Sequence, residues 1–269
     1  MLLYNIVINE TFNCMKYVGI TGHRGSGKTS IAYLLGNMLE RIRKNDDRDE
    51  IYEQYKVWCK TIEQNNDAIY DCPLYYVYFD EFGDMPKSFV AQLLSIDMSV
   101  LDNDTMKDNM YVNLKDFKLY TYDESFKLVS SKDILKRFAY KEDDYWDDSY
   151  ISLREFSKTV SIDIFKRFFG TDVWLKSRRM SDIKFGEVED GWRVFSDVKT
   201  TDEYNYIKEK DGIMICTLNG KNRKSDKGIR NITYKEYQNM DYTVVTEGKL
   251  IDLFDTIYNI SKEIYEKSR

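Results

Sequence analysis

The sequence predicts an α/β fold in which helices flank an open parallel sheet. In its last third, strand-like and helix-like segments alternate, which is typical of parallel strands joined by right-handed crossovers. Near its start, residues 16–39 combine an apolar strand, a glycine-rich turn and a helical apolar stripe. In an open sheet of this kind, ligands bind at the carboxyl ends of the strands.

The glycine-rich turn spans Gly22–Thr29 and matches the phosphate-loop (P-loop) pattern G-x-x-x-x-G-K-[ST] at every fixed position. A strand is predicted before it at Lys16–Thr21 and a helix after it at Ser30–Leu39, so a chance match is disfavoured. Glycines let successive N–H groups turn toward an anion, and a helix start adds its positive end. The predicted class is therefore a P-loop NTPase. The residues expected to hold nucleotide phosphates are Gly22, Gly25, Ser26, Gly27, Lys28, Thr29 and Ser30.

The next part of the chain contains one element predicted to be exposed and one predicted to be buried. Residues 51–64 are predicted as an exposed helix, and residues 74–79 as a buried strand that runs into Asp80 and Glu81. An apolar strand that ends in acids resembles a Walker B motif, in which Asp80 would hold Mg²⁺. The alternative is an ordinary strand end with solvated acids. A helical run through Phe89–Leu94 follows.

Residues 102–150 show no clear period, and we interpret them as an inserted, partly helical surface segment that forms a lid. The next helix is predicted at Ser152–Phe169. Its apolar stripe consists of Leu153, Phe156, Val160, Ile164 and Phe168. On a straight helix, Lys158 and Arg167 would lie roughly 180° apart. Either the helix breaks near Ser161, or Lys158 and Arg167 serve different sites.

The last third contains the clearest alternation of strands and helices. The elements predicted there are strands at 192–196, 212–218 and 241–246, and helices at 202–209 and 249–267. The first of these strands ends at Asp197, and a basic loop is predicted at 219–230.

Composition limits the classes of function. The chain has 269 residues and a formal net charge of −6, so no global basic field favours direct nucleic-acid binding. Its four cysteines form no C-x-x-C pair, and reduced thiols in the cytoplasm are the simplest interpretation. No apolar run approaches the ~18 residues of a membrane span. Residues 1–14 lack signal-peptide features and are interpreted as an N-terminal extension before Met15.

From Met15 to Ile260 the chain resembles the deoxynucleoside monophosphate kinases of tailed bacteriophages. The phosphate loop opens the chain as it does in that family. The other similar segments follow in the family's order: Phe82–Lys87 resembles Phe-Ala-Asp-Pro-x-Lys; Arg154-Glu155, Lys158, Ser161–Asp163 and Arg167 resemble Arg-Glu-x-x-Gln, Gly-Thr-Asp/Glu and Arg; Ser196–Glu203 resembles Asp-Val-Arg-Phe-Pro-Asn-Glu; and Thr246–Leu250 resembles Asn-Asp-Gly-Thr-Leu. The departures are Lys158 for Gln, Ser161-Ile162 for Gly-Thr, and Lys199 for Arg.

The resemblance implies a cytoplasmic enzyme, in the host cytoplasm if phage-encoded, that transfers the γ-phosphoryl of ATP to a deoxynucleoside monophosphate. It implies ATP and Mg²⁺ as ligands, and a homodimer. Catalytic roles fall to Lys28, Arg24, Arg167 and Asp197, with Thr29 and Asp197 on the metal. The residues implied for the monophosphate are Asp84, Lys87, Arg154, Lys158, Asp163, Arg167, Trp174 and Lys199.

Alternatives remain open for the protein and for two of these residues. The chain is also compatible with a P-loop ATPase, such as a motor or assembly factor, that uses Asp80 and Glu81 as Walker B. A third interpretation is a degenerate relative that binds nucleotide without turnover. Arg167 could instead form an i, i+4 ion pair with Asp163. Trp174 could be a core residue rather than a surface on which a base stacks.

Overall fold

The computed structural model describes residues 15–23, 25–64, 74–121, 127–128, 149–185, 191–219 and 237–269. The predicted extension at 1–14 lies outside the described residues, as does most of the predicted loop at 219–230.

The chain divides into two compact units. The first contains the described residues up to Phe82 and those from Ser181 onward, and the second runs from Gly83 to Met180. The segment 102–150, expected as an insert, is thus one part of a longer unit. A single domain over the whole chain stays a prediction.

The described residues form the following strands and helices, numbered in chain order. The strands are β1 (Lys16–Gly22), β2 (Val77–Asp80), β3 (Met110–Asn113), β4 (Leu119–Thr121), β5 (Lys127–Leu128), β6 (Ser149–Ser152), β7 (Trp192–Phe195), β8 (Ile213–Leu218) and β9 (Tyr242–Val245). The helices are α1 (Lys28–Arg43), α2 (Arg48–Gln64), α3 (Asp84–Leu94), α4 (Met98–Asp102), α5 (Asp104–Asn109), α6 (Leu153–Lys158), α7 (Phe165–Phe169), α8 (Val173–Phe185), α9 (Thr201–Lys208) and α10 (Phe254–Lys267). A π-helix at Thr159–Ile164 joins α6 to α7, and a 3-10 helix at Leu250–Leu253 precedes α10.

The first unit is built on a five-stranded sheet in the order β2-β7-β1-β8-β9. All of its strand pairs are parallel, and β1 lies at the centre with Val18 opposite Val194 on β7 and Ile213 on β8. Helices flank this sheet, which confirms the α/β class and the parallel sheet expected from the alternating pattern. Because β1 is central, the loop that follows it lies at the middle of the sheet's carboxyl edge.

One face of this sheet carries the main hydrophobic core. Val18 and Ile20 of β1 belong to a buried cluster that includes the apolar faces of α1, α2 and α10. The expectation of an exposed helix at 51–64 is wrong, because α2 buries Ile51, Tyr55, Trp58, Cys59 and Ile62. Its many charged residues occupy the opposite face and masked this apolar stripe in the sequence. α1 packs against α2, α10 and β2, and its residues from Ile31 to Glu40 are buried.

The second unit has a smaller sheet in the order β4-β3-β6-β5. β3 is antiparallel to both neighbours, and β5 is parallel to β6. Its core combines Val112 and Ile151 from the sheet with apolar residues of α3 and α6. The sequence did not predict these strands, because segments of two to four residues are too short to show an alternating period.

The helix predicted at Ser152–Phe169 is interrupted where the sequence suggested a break. α6 ends at Lys158, and the π-helix Thr159–Ile164 contains Ser161. A π-helix makes i→i+5 hydrogen bonds, so each residue turns less than the 100° of an α-helix. Lys158 and Arg167 are therefore rotated away from the opposed arrangement of a straight helix. The same change leaves Phe168 62% exposed, so its place on the predicted apolar stripe is wrong.

Candidate functional site

The loop between β1 and α1 adopts a backbone that only glycine tolerates easily. Gly25 has φ +77° and Gly27 has φ +80°, both in the left-handed region. Gly27 is the N-cap of α1 and has no side chain with which to cap the helix. The first turn, which contains the half-buried Thr29 and Ser30, holds no acidic residue. Its N–H groups and the positive end of the helix dipole thus favour an anion from outside the helix.

Lys28 lies across this loop. Its Nζ donates hydrogen bonds to the carbonyl oxygens of Gly22 at 3.0 Å and His23 at 2.8 Å. Burial lowers the pKa of Lys28 from its ordinary value, and the charge of Lys199 lowers it further. The charges of Asp197 and Glu81 act in the opposite direction. A cation that is poorly solvated at the start of a helix would be stabilised by a bound anion.

Asp197 follows β7, the direct neighbour of β1, and its charge acts on Lys28. Its side chain is buried, and its Oδ1 accepts a hydrogen bond from the N–H of Phe82 at 2.8 Å. Its Oδ2 lies 3.3 Å from Nζ of Lys199. The N–H of Val198 donates to the carbonyl oxygen of Ile20, which ties the turn after β7 to β1. The carboxylate is therefore held in one orientation, with Oδ2 directed at the exposed ammonium group of Lys199.

Glu203 fixes the same turn and was not among the site residues expected from the sequence. Its Oε2 accepts hydrogen bonds from the N–H groups of Lys199 at 2.6 Å and Thr200 at 3.0 Å. Oγ1 of Thr200 accepts in return from the N–H of Glu203, which completes a capping box at the start of α9. Burial raises the pKa of Glu203, and the charge of Asp197 adds to that rise. The sequence signal was the spacing T-x-x-E.

Asp80 and Glu81, the pair that resembles Walker B, follow the edge strand β2. β7 separates β2 from β1, which corresponds to about 10 Å between the two strand axes. Oδ2 of Asp80 lies 3.6 Å from Nε of Arg193, and its Oδ1 accepts from the N–H of Glu81. Glu81 accepts a hydrogen bond from Oγ of Ser196 at 3.2 Å. Of these two acids, Glu81 therefore lies nearer the turn that carries Asp197.

The expected monophosphate residues other than Lys199 lie in the second unit, where several carry ion pairs. Nζ of Lys87 lies 2.7 Å from Asp102 and 3.6 Å from Asp84. Arg154 donates through Nε and Nη2 to both carboxylate oxygens of Asp108, and through Nη2 to Asp104 at 3.0 Å. Its guanidinium fork thus already engages carboxylates. A phosphate would have to replace them.

The ion pairs of this cluster affect the protonation of Asp104. Hydrogen bonds from Lys107 first, and then from Arg154, lower the pKa of Asp104 to about 2. The carboxylate is therefore ionised at neutral pH and competes with any anion for Arg154.

Lys158, Asp163 and Arg167 lie along the interrupted helix α6–π–α7. Arg167 is exposed, and among the residues that the structure describes it forms no ion pair with Asp163. The π-helix accounts for this, because an i, i+4 pair requires the α-helical rotation between its members. Trp174 donates from Nε1 to the carbonyl oxygen of Ser161 at 2.5 Å.

The Trp174 ring stacks on Phe165, with centroids 4.9 Å apart. Together with its hydrogen bond to the π-helix, this favours the alternative of a core tryptophan over a platform for a base.

At the carboxyl edge of the parallel sheet, Lys199 contacts Asp197 and Glu81 contacts Ser196, and the charges of Asp197, Lys199 and Glu81 all act on Lys28. Arg24 lies outside the described residues. Within the part of the chain that is described, no helix is long and apolar enough to cross a membrane. No protein-family model matches the chain, and no curated protein matches it.

Proposed function

We propose that this protein is a nucleotide kinase with a P-loop NTPase fold, and that it transfers the γ-phosphoryl of ATP to a deoxynucleoside monophosphate. The observation that carries the proposal is Lys28, a partly desolvated cation at the start of α1, with Asp197 in the turn that follows the neighbouring strand β7. The GHRGSGKT sequence supplies the phosphate-binding backbone, and the resemblance to phage kinases supplies the acceptor class.

The donor phosphates are assigned to the loop and to the first turn of α1. Their negative charge would replace the carbonyl oxygens of Gly22 and His23 as the partner of Lys28. Phosphoryl transfer requires little covalent chemistry from the protein, so positioning and charge neutralisation are the main contributions.

The residues present fit Mg²⁺. Thr29 and Asp197 offer oxygen ligands, which Mg²⁺ prefers, and Mg²⁺ is commonly bound by one or two carboxylates together with substrate phosphates. Bound Mg²⁺ would neutralise charge on the β- and γ-phosphates. Lys199 would then share or release Oδ2 of Asp197.

The acceptor phosphate is assigned by resemblance to cations of the second unit, chiefly Arg154, Lys158 and Arg167. A general base is not required, since the attacking phosphate oxygen is already anionic. Lys158 and Lys199 stand where the family has Gln and Arg, and a lysine cannot make a two-pronged contact with phosphate.

A second candidate is ATP hydrolysis without an acceptor. The observation that favours it is Glu81, whose charge acts on Lys28 and whose carboxylate is held by Ser196. In that mechanism Glu81 would polarise the attacking water. Asp80 is a weaker metal ligand than Asp197, since it lies beyond β7 and pairs with Arg193.

A coupled ADP-release assay with ATP and Mg²⁺ tests the proposal, with each deoxynucleoside monophosphate added in turn. If the protein is a kinase, ADP release should depend on the presence of one of these acceptors. Equal release without any acceptor would indicate an ATPase, and nucleotide binding with no release under any condition would indicate a binding-only protein.

A further inference from the structure

We propose that Thr217 of β8 is a positioning residue that fixes the phosphate-binding loop through the hydroxyl of Ser26. This inference rests on the proposed function, since it concerns how the loop is prepared for phosphate. Thr217 is paired with Gly22 across the parallel strands β8 and β1. Both threonine and serine side chains are almost completely buried, at 0% and 1% exposed.

A directed chain of hydrogen bonds joins these residues. Oγ1 of Thr217 donates to the carbonyl oxygen of Thr21 at 3.2 Å, and it lies 2.6 Å from Oγ of Ser26. A hydroxyl has one proton. Because Thr217 donates its proton to Thr21, Ser26 must donate to Thr217. The Ser26 hydroxyl is therefore used inside the protein, and we assign it to anchoring the loop rather than to contacting phosphate.

The first glycine of the loop permits this close approach. A Cβ atom at Gly22 would lie 2.3 Å from Oγ1 of Thr217, 2.4 Å from its carbonyl oxygen and 2.6 Å from Oγ of Ser26. Two of these three atoms belong to the hydrogen-bond chain. Gly22 thus gives β8 and the loop the space in which the hydroxyls meet.

A second tether holds the same residue from the next strand. Oγ1 of Thr246, just after β9, lies 3.1 Å from the carbonyl oxygens of both Ser26 and Leu218. The single hydroxyl proton of Thr246 is shared between these two carbonyl oxygens. Ser26 is therefore held through its side chain by β8, and its carbonyl oxygen accepts a shared hydrogen bond from the residue after β9. The middle of the loop is fixed before any ligand binds, which lowers the ordering cost of binding.

The test compares isosteric variants in which only a hydroxyl is lost. Thr217→Val removes the anchor and leaves Ser26 without its acceptor, whereas Thr217→Ser keeps the hydroxyl. Thr21→Val is the matched control, because Thr21 is also buried and its Oγ1 has no hydrogen-bond partner among the described residues. The readouts are the calorimetric Kd of ATP, the Tm, and amide exchange at Ser26, whose N–H donates to His23.

We expect Thr217→Val to weaken ATP binding on the order of 10-fold and to accelerate exchange at Ser26 in the ligand-free protein. Thr217→Ser and Thr21→Val should stay within about threefold of the wild-type Kd. Wild-type affinity and exchange in Thr217→Val would overturn the inference, as would a lower Tm with an unchanged Kd, which indicates a structural role alone.

If Thr217→Val fails to fold, Ser26→Ala makes the same comparison without altering β8, and a wild-type Kd in that variant overturns the inference. If the protein binds ATP but transfers no phosphoryl group, the kinase proposal fails in the ADP-release assay while this comparison of Kd values is unaffected. If the loop is not a nucleotide site at all, the wild-type protein binds no ATP. In that case the Ser26 exchange rates of Thr217→Val and Thr21→Val still decide whether the anchor exists.

Discussion

Nζ of Lys28 donates a hydrogen bond to the carbonyl oxygen of His23 over 2.8 Å, so the lysine closes the loop from which its own helix begins. The carbonyl oxygen of Gly22 accepts a second bond from the same atom. These carbonyls hold the cation in the position where a polyphosphate would replace them. Nζ thus bonds to the loop, and Lys28 is not among the buried residues of the core.

Lys28→Ala should therefore lower turnover by at least ~10²-fold while the fold is retained, since it removes a preorganised cation from the donor phosphates. The ADP-release assay measures turnover, and circular dichroism measures folding. Lys60→Ala, which removes an exposed lysine from α2, is the control for loss of one positive charge. Full activity in a folded Lys28→Ala variant would contradict the assignment of the loop as the donor site.

Glu203→Gln should raise the free energy of unfolding more at neutral pH than at acidic pH. Burial raises the folded-state pKa of Glu203 above its ordinary value, so the folded state binds its proton more tightly than the unfolded state. The stabilisation by the protonated acid is complete below about pH 4 and is lost as the pH rises through the raised pKa. Glutamine does not titrate and still accepts hydrogen bonds in a capping box.

Urea denaturation of the wild-type and Glu203→Gln proteins at about pH 4.5 and pH 7.5 measures this difference. The gain from Glu203→Gln should be larger at the higher pH. Glu266→Gln, at an exposed position on α10, is the matched control and should show no such dependence. A gain that is equal at both pH values would contradict the role of burial at Glu203.

Arg167→Ala should raise the KM for the monophosphate more than the KM for ATP. Loss of a charge-assisted phosphate contact typically costs ~1.5–3 kcal/mol, or roughly 10- to 100-fold in affinity. Arg167→Lys keeps the charge but not the planar fork, and should fall between the wild type and Arg167→Ala. Steady-state kinetics in both substrates measure these effects, and equal changes in the two KM values would argue against an acceptor role.

The sequence predicted the parts of the fold whose signals are local. β1, the loop and α1 follow one another in a short segment, and each has a strong pattern of its own. The contacts that complete the site are not local. Ser26 and Thr217 are separated by 191 positions, and no spacing rule joins two hydroxyls at that distance.

Contacts that only the folded structure shows explain the other differences from expectation. Arg154 matched a phosphate-binding motif, but sequence inspection does not reveal that Asp108 lies opposite its guanidinium. Rotation per residue left a break near Ser161 as one of two alternatives. The form of the break, a π-helix with Trp174 bonded to Ser161, depends on tertiary packing that the sequence does not reveal.

In the proposed kinase, the γ-phosphoryl passes to a nucleotide acceptor at a donor site completed by Asp197, rather than to a water activated by Glu81. The most direct test is the rate of labelled γ-phosphoryl transfer to the monophosphate, measured side by side for Asp197→Asn and Glu81→Gln. We expect Asp197→Asn to lower transfer by ~10²-fold or more, equivalent to ~3 kcal/mol, and Glu81→Gln to leave it largely intact. Loss of turnover in Glu81→Gln with full activity in Asp197→Asn would contradict the kinase and favour the ATPase.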